Sequence, residues 1–128
     1  MSEDFIIAID FDGTICEDKF PDYGKLRDGA KDAIIALYAE PDVAIIINTC
    51  RHDEWGVMDY LFRKNIPFGM VNENHRGLID LYGDCRKIAA NVYVDDHNVF
   101  AERYTWSEIK TELFRKLYLW RKYGKRRS

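Results

Sequence analysis

The sequence predicts an α/β domain in three α/β/α layers, a Rossmann-like arrangement around a mainly parallel sheet. Three observations carry that expectation. Apolar runs at 6–9, 43–47 and 91–94 have strand length, and the intervals between them carry apolar residues at helical spacing. Strand and helix in alternation imply right-handed crossovers and a sheet with helices on its faces. Each run also ends in polar residues, so Asp10, Asp12, Thr49, Asp95 and Asp96 should gather outside the carboxyl ends of the strands, where such sheets hold their ligands.

The elements follow in order. Ile6, Ile7, Ala8 and Ile9 form an unbroken apolar run that suits a strand covered on both faces. An extended backbone then turns Asp10 and Asp12 to one side and Phe11 to the other, before Gly13 and Thr14 break the strand. Two carboxylates that close repel unless a cation lies between them, and a divalent metal meets the need. A loop or hairpin is expected at 15–24, followed by a helix with Asp28 as N-cap, Ile34, Leu37 and Tyr38 on its buried stripe, and Pro41 at its exit. The second strand, 43–47, runs into Asn48, Thr49, Cys50 and Arg51. A helix beginning near Asp53 should bury Met58, Leu61 and Phe62 and end near Lys64, with a short strand at 68–71 and a polar loop at 72–77 that contains His75 and Arg76. The third run ends in Asp95 and Asp96, and Asp96 also suits the N-cap of a short helix from His97.

Thr105 and Glu108 have capping-box spacing, so a last helix should run from about Trp106 to Tyr123 and stop at Gly124. Trp106, Ile109, Leu113, Leu117 and Trp120 form its apolar stripe. Phe114, Tyr118, Leu119 and Tyr123 fall outside that stripe, which points to a homo-oligomer contact through this helix. The tail, 121–128, is basic, as a frayed helix end often is.

A chain of 128 residues holds one domain, 1–128, with a proper core and no room for a second. The formal net charge of −3 weighs against nucleic acid as a general partner, and leaves only the tail to attract a polyanion. No apolar run approaches the roughly 20 residues of a membrane span, and no leader pattern precedes the first strand. Cys16, Cys50 and Cys85 are widely spaced and read as free thiols, so a cytoplasmic setting is expected.

Asp10-Phe11-Asp12-Gly13-Thr14, Thr49 after a buried strand, Lys87 ahead of the last run, and Asp95-Asp96 closing it resemble the four motifs of the haloacid dehalogenase superfamily. They appear in order, and the resemblance spans roughly 5–99. It implies a magnesium-dependent phosphatase with Asp10 as nucleophile and Asp12 as general acid and base. Thr49 and Lys87 would bind the phosphoryl group, with Lys87 also steadying Asp10. By the same resemblance Asp10, the Asp12 carbonyl, Asp95 and Asp96 would hold Mg²⁺. Neither interval between motifs can hold an inserted cap domain, so the chain looks like a capless member. Asn91 stands where small members often carry an acidic residue.

The residue types suit that chemistry on their own terms. A carboxylate nucleophile divides phosphoryl transfer into two easier steps, and cationic and hydrogen-bonding clamps match the charge on the transferring group. Mg²⁺ takes hard oxygen ligands and keeps several waters, so a few oxygens are enough. Arg51 lies close enough to Thr49 to bind substrate phosphate, while Lys64 is the rival to Lys87. An open site leaves water exclusion to the 16–24 loop, a neighbouring subunit or the substrate. Phe20 and Tyr23 in that loop either pack on a substrate ring or bury against the body. The expected reaction is hydrolysis of a phosphate monoester on a small molecule or a macromolecular end. The alternatives are a nucleotide or polynucleotide-end phosphatase with the same mechanism, and a phosphate- or metal-binding regulatory module with little turnover.

Overall fold

A computed structural model describes residues 3–84, 87–95 and 104–124. Its elements are β1 (Phe5–Asp10), α1 (Ala30–Tyr38), β2 (Val43–Asn48), α2 (Glu54–Arg63), β3 (Met70–Val71), α3 (Arg76–Tyr82), β4 (Val92–Val94) and α4 (Trp106–Lys122). The four strands form one parallel sheet in the order β3-β2-β1-β4. The chain steps from β1 to β2 to β3 and then crosses back to the far side of β1, so the strand order reverses between β1 and β4. That is the switch point at which open α/β sheets bind ligands.

Alternation along the strands separates two faces. Phe5, Ile7 and Ile9 join Ile45, Ile47 and Val71 in a core with Ile34 and Leu37 of α1, Val57 and Leu61 of α2, and Trp106, Leu113 and Leu117 of α4. Ile6, Ala8 and Ile46 are buried on the opposite side, the side reached by the α3 crossover. Register pairs Asp10 with Asn48 and Ile9 with Val94, which brings Asp10 alongside Asp95 at the carboxyl edge. Asn91 has a structural explanation. Its amide oxygen accepts from the Ile6 N–H at 2.7 Å and its backbone N–H donates to the Ile6 carbonyl at 2.8 Å, so it extends the β1–β4 ladder.

Several expectations are corrected. Gly29, not Asp28, precedes α1, with φ of 82° and no side-chain cap, and Tyr38 is exposed while Ala30, Ala33, Ile34 and Leu37 form the buried stripe. On α2, Phe62 points to solvent at 79 % exposure, and Val57 takes the buried place beside Leu61. The third strand is only Met70–Val71. Residues from Arg76 form α3, in the segment expected to be loop, because the His75 ring caps it by accepting from the Gly77 N–H at 3.0 Å. Nε2 of the same ring pairs with Asp4 at 2.9 Å.

The last helix matches its sequence signal closely. Both halves of the Thr105–Glu108 capping box form, and Trp106, Leu113, Leu117 and Trp120 are buried. Tyr118, Leu119 and Tyr123 stay exposed, while Phe114 packs partly against the core. Arg121, at the start of the basic tail, is held by Glu40 at 2.7 Å and Asp42 at 2.6 Å, which ties α4 to the α1–β2 turn. No helix among the described residues is long and apolar enough to cross a membrane. Asp96, Cys85, His97 and the tail beyond residue 124 lie outside the described residues.

Candidate active site

The site begins where β1 ends. Gly13 adopts φ of 82°, a left-handed turn that favours glycine. The N–H groups of Thr14 and Ile15 return to the Phe11 carbonyl at 3.3 and 3.0 Å. The turn is braced from behind: Trp106 Nε1 donates to the Thr14 carbonyl at 2.8 Å, and Arg27 reaches the Gly13, Thr14 and Tyr104 carbonyls. Thr14 Oγ1 is buried with no hydrogen-bond partner among the described residues. Asp10 closes β1, and Asp12 stands two residues on, just before this turn.

Arg51 meets Asp12 in a bidentate pair, Nε to Oδ2 and Nη2 to Oδ1, both at 2.8 Å. Its remaining contacts go to the loop after β1, with Nη1 donating to the Pro21 carbonyl at 3.0 Å and Nη2 to the Asp22 carbonyl at 2.7 Å. Tyr23 and Phe20 lie against the guanidinium, with ring centroids 4.1 and 4.9 Å from its central carbon. The Arg51 side chain is only 6 % exposed. Its hydrogen bond to Asp12 raises its pKa above the ordinary arginine value. Arg51, expected to bind substrate, spends four donor contacts on Asp12 and the loop.

Tyr23 stacks on Tyr60, and Phe11 meets both rings edge-on. The Tyr60 hydroxyl donates to the Gly24 carbonyl at 2.8 Å, and burial pushes that phenol up to about 12, so it stays a neutral donor. The loop's other end is closed by the Glu17 N–H on the Lys25 carbonyl at 2.8 Å. Of the two loop aromatics, Tyr23 therefore packs on the body. Phe20 stays 66 % exposed beside an opening of about 310 Å³ lined by Asp12, Asp18, Phe20, Cys50 and Arg51.

Thr49 is oriented by Asn72, which sequence reasoning placed in the polar loop at 72–77 without assigning it this role. The Thr49 N–H donates to the Asn72 amide oxygen at 2.8 Å, the Asn72 amide nitrogen donates back to the Thr49 carbonyl at 2.8 Å, and it also reaches Glu54 at 3.1 Å. Asn72 stands at φ of 54°, a conformation that asparagine tolerates better than most residues. Asparagine just past a short strand was the available signal. Thr49 Oγ1 accepts from the Arg51 N–H at 3.1 Å.

Lys87 is exposed, with its ammonium 5.7 Å from the Tyr93 ring centroid. Tyr93 pairs with Ala8, so this is the sheet face that carries Asp10, one strand step back from the carboxyl edge. The rival Lys64 lies at the end of α2, over the Tyr60 ring at 5.6 Å. His75 pairs with Asp4 and caps α3, and Arg76 is an exposed first-turn residue.

Among the described residues, no three His, Cys, Asp or Glu side chains cluster as a metal centre. The Asp12 carboxylate faces Arg51, so its side chain is not part of a cation site here. What the strand ends offer is narrower: Asp10 ends β1, and Asp95 follows the neighbouring β4 and lines an opening with Thr14. Two carboxylates with a carbonyl and water are a donor set that fits Mg²⁺, a cation that keeps much of its hydration.

No protein-family model matches the chain, and no curated protein does either. The chain is similar to a solved structure of a conserved protein from Bacteroides thetaiotaomicron, with 25 % identity over 89 % of this chain and 93 % of that one and a TM-score of 0.75. That likeness extends over nearly the whole fold and names no activity.

Proposed function

We propose that the protein is a capless phosphatase of the haloacid dehalogenase type, hydrolysing a phosphate monoester through an aspartyl-phosphate on Asp10. The observation that carries this reading is the convergence of Asp10, Thr49 and Asp95 from three parallel strands on the switch point, with Asp12 held in a fixed orientation two residues beyond Asp10. The order of these residues along the chain resembles the superfamily's motifs, and the common edge of Asp10, Thr49 and Asp95 supports the reading.

In the first step an Asp10 carboxylate oxygen attacks phosphorus while the bond to the leaving oxygen breaks, and Asp12 gives that oxygen a proton. In the second step Asp12 takes a proton from water as the water oxygen attacks phosphorus, which releases phosphate and regenerates Asp10. Thr49, oriented through Asn72, donates to a phosphoryl oxygen. Lys87 is exposed over the Tyr93 ring and takes the cationic role only if its ammonium swings along the shared face towards Asp10. Bound Mg²⁺, held by Asp10, Asp95 and the Asp12 carbonyl, would neutralise charge on the phosphoryl oxygens.

A panel of sugar phosphates, nucleotides and 5′- and 3′-phosphorylated oligonucleotides, assayed in Mg²⁺ and in EDTA beside Asp10→Asn, tests this reading and separates its variants. Mg²⁺-dependent turnover that disappears in Asp10→Asn supports it, and the preferred ester decides between a small substrate and a polynucleotide end. Mg²⁺ binding without turnover on any ester favours the regulatory module instead.

A further inference from the structure

We infer that Arg51 is a positioning residue that latches the 16–24 loop to Asp12, so that the proton-transfer carboxylate is aligned only when the loop is seated. The catalytic half of this inference rests on the proposed phosphatase reading; the mechanical half does not. One guanidinium serves two bodies. Nε and one N–H of Nη2 fix the two oxygens of Asp12, while Nη1 and the other N–H of Nη2 hold the Pro21 and Asp22 carbonyls. Tyr23 and Phe20 close over the same group.

The arrangement has the features of a coupling rather than a phosphate clamp. Four donor contacts are already made inside the protein, and the side chain is 6 % exposed, so little of it is offered to a ligand. A carboxylate that accepts a bidentate arginine still has a free lone-pair position on each oxygen, and that position can carry the proton given to the leaving oxygen or take one from water while the plane of Asp12 is fixed. Removing the loop contacts would leave Arg51 anchored mainly through Asp12 and free to swing with it. Lysine cannot replace it, because a point charge with three donors cannot hold a carboxylate side-on and two separate carbonyls at once.

Two readouts on the full-length protein test the latch. In the first, a lysine-specific endoprotease probes cleavage after Lys19 and Lys25, both exposed in or next to the loop, with mass spectrometry of the fragments and cleavage after Lys64 as the internal control. Arg51→Gln should raise loop cleavage about tenfold and leave Lys64 cleavage unchanged; a global loss of folding would raise both. Equal loop cleavage in wild type and Arg51→Gln overturns the latch.

The second readout compares an alkyl phosphate, whose leaving oxygen needs a proton, with 4-nitrophenyl phosphate, which needs it far less. Arg51→Gln and Arg51→Lys should lower kcat for the alkyl ester at least tenfold more than for the nitrophenyl ester, with little change in KM. In an Asp12→Asn background Arg51→Gln should add nothing further. A rise in KM with kcat unchanged, equal on both esters, would make Arg51 a substrate-binding residue and overturn the inference. If wild type turns over no ester, the phosphatase reading falls, and protease protection of the loop still decides the latch.

Discussion

Asn72 grips Thr49 from both sides of its backbone, accepting from its N–H and donating to its carbonyl at 2.8 Å each. A side chain that imitates a neighbouring strand in this way fixes the last turn of β2 where the sheet itself has ended. Asn72→Ala removes both bonds and leaves the β-carbon at φ of 54° without an amide to compensate, so it should cost about 2–4 kcal/mol of stability in denaturant unfolding. Asn72→Gly keeps the backbone comfortable and should cost less, yet the turnover expected of the proposed phosphatase should fall to a similar degree, because Thr49 is no longer aimed.

Lys87 is exposed, so Lys87→Ala should change stability by no more than about 0.5 kcal/mol. If its ammonium moves from Tyr93 to the phosphoryl group, kcat should nevertheless fall by roughly 100-fold or more, a loss of transition-state charge stabilisation. Full activity in this variant would transfer the cationic role to another residue.

Trp106 connects the last helix to the Gly13 turn through its indole N–H on the Thr14 carbonyl at 2.8 Å. Trp106→Phe keeps most of the buried ring and loses that bond, and should destabilise by about 1–3 kcal/mol. Truncation before Trp106 should do far more than change assembly: it removes Trp106, Leu113, Leu117 and Trp120 from the core and should abolish cooperative unfolding.

Gly24 lies where an added β-carbon would fall on the Glu17 carbonyl oxygen, across the neck of the loop. Gly24→Ala must push that neck apart, and should cost about 1–3 kcal/mol while increasing protease cleavage in the loop. A Gly24→Ala variant with wild-type melting and protection would show that the neck can yield freely.

The cysteines differ in reactivity. Burial, with the nearby Asp12 charge adding to it, pushes the Cys16 thiol from 9.0 up to about 11, whereas Cys50 is exposed. Iodoacetamide at pH 8 should label Cys50 in the folded protein and spare Cys16 until the chain is unfolded. Above pH 9 the unfolded thiol ionises while the folded one holds its proton, so the Cys16 contribution to stability is present below pH 9 and lost as pH rises towards 11. Unfolding midpoints measured from pH 8 to 11 should fall accordingly.

The parts that followed local rules were legible in the sequence. Apolar runs gave β1 and β2 because their burial on both faces leaves a continuous hydrophobic signature, and Thr105 with Glu108 marked the start of α4. The motif residues at the ends of β1, β2 and β4 lie at one edge because the topology places them there. What escaped depended on contacts between distant segments. The short α3 starts from a histidine cap, a residue type outside the usual capping set. Phe62 has helical spacing suited to burial, but nothing covers that side of α2 among the described residues. Arg51 read as a phosphate ligand from its place after Thr49, and only the docked loop shows that Asp12, Pro21 and Asp22 take its donors.

Chemical trapping of the covalent intermediate tests the nucleophile most directly. Protein mixed with Mg²⁺ and its best ester, acid-quenched within one turnover and treated with borohydride, should carry homoserine at position 10, the reduction product of an aspartyl-phosphate. Asp10→Asn should yield none. Mg²⁺-dependent hydrolysis without modification at position 10, or hydrolysis undiminished in Asp10→Asn, would contradict the covalent mechanism and remove Asp10 from its role as nucleophile.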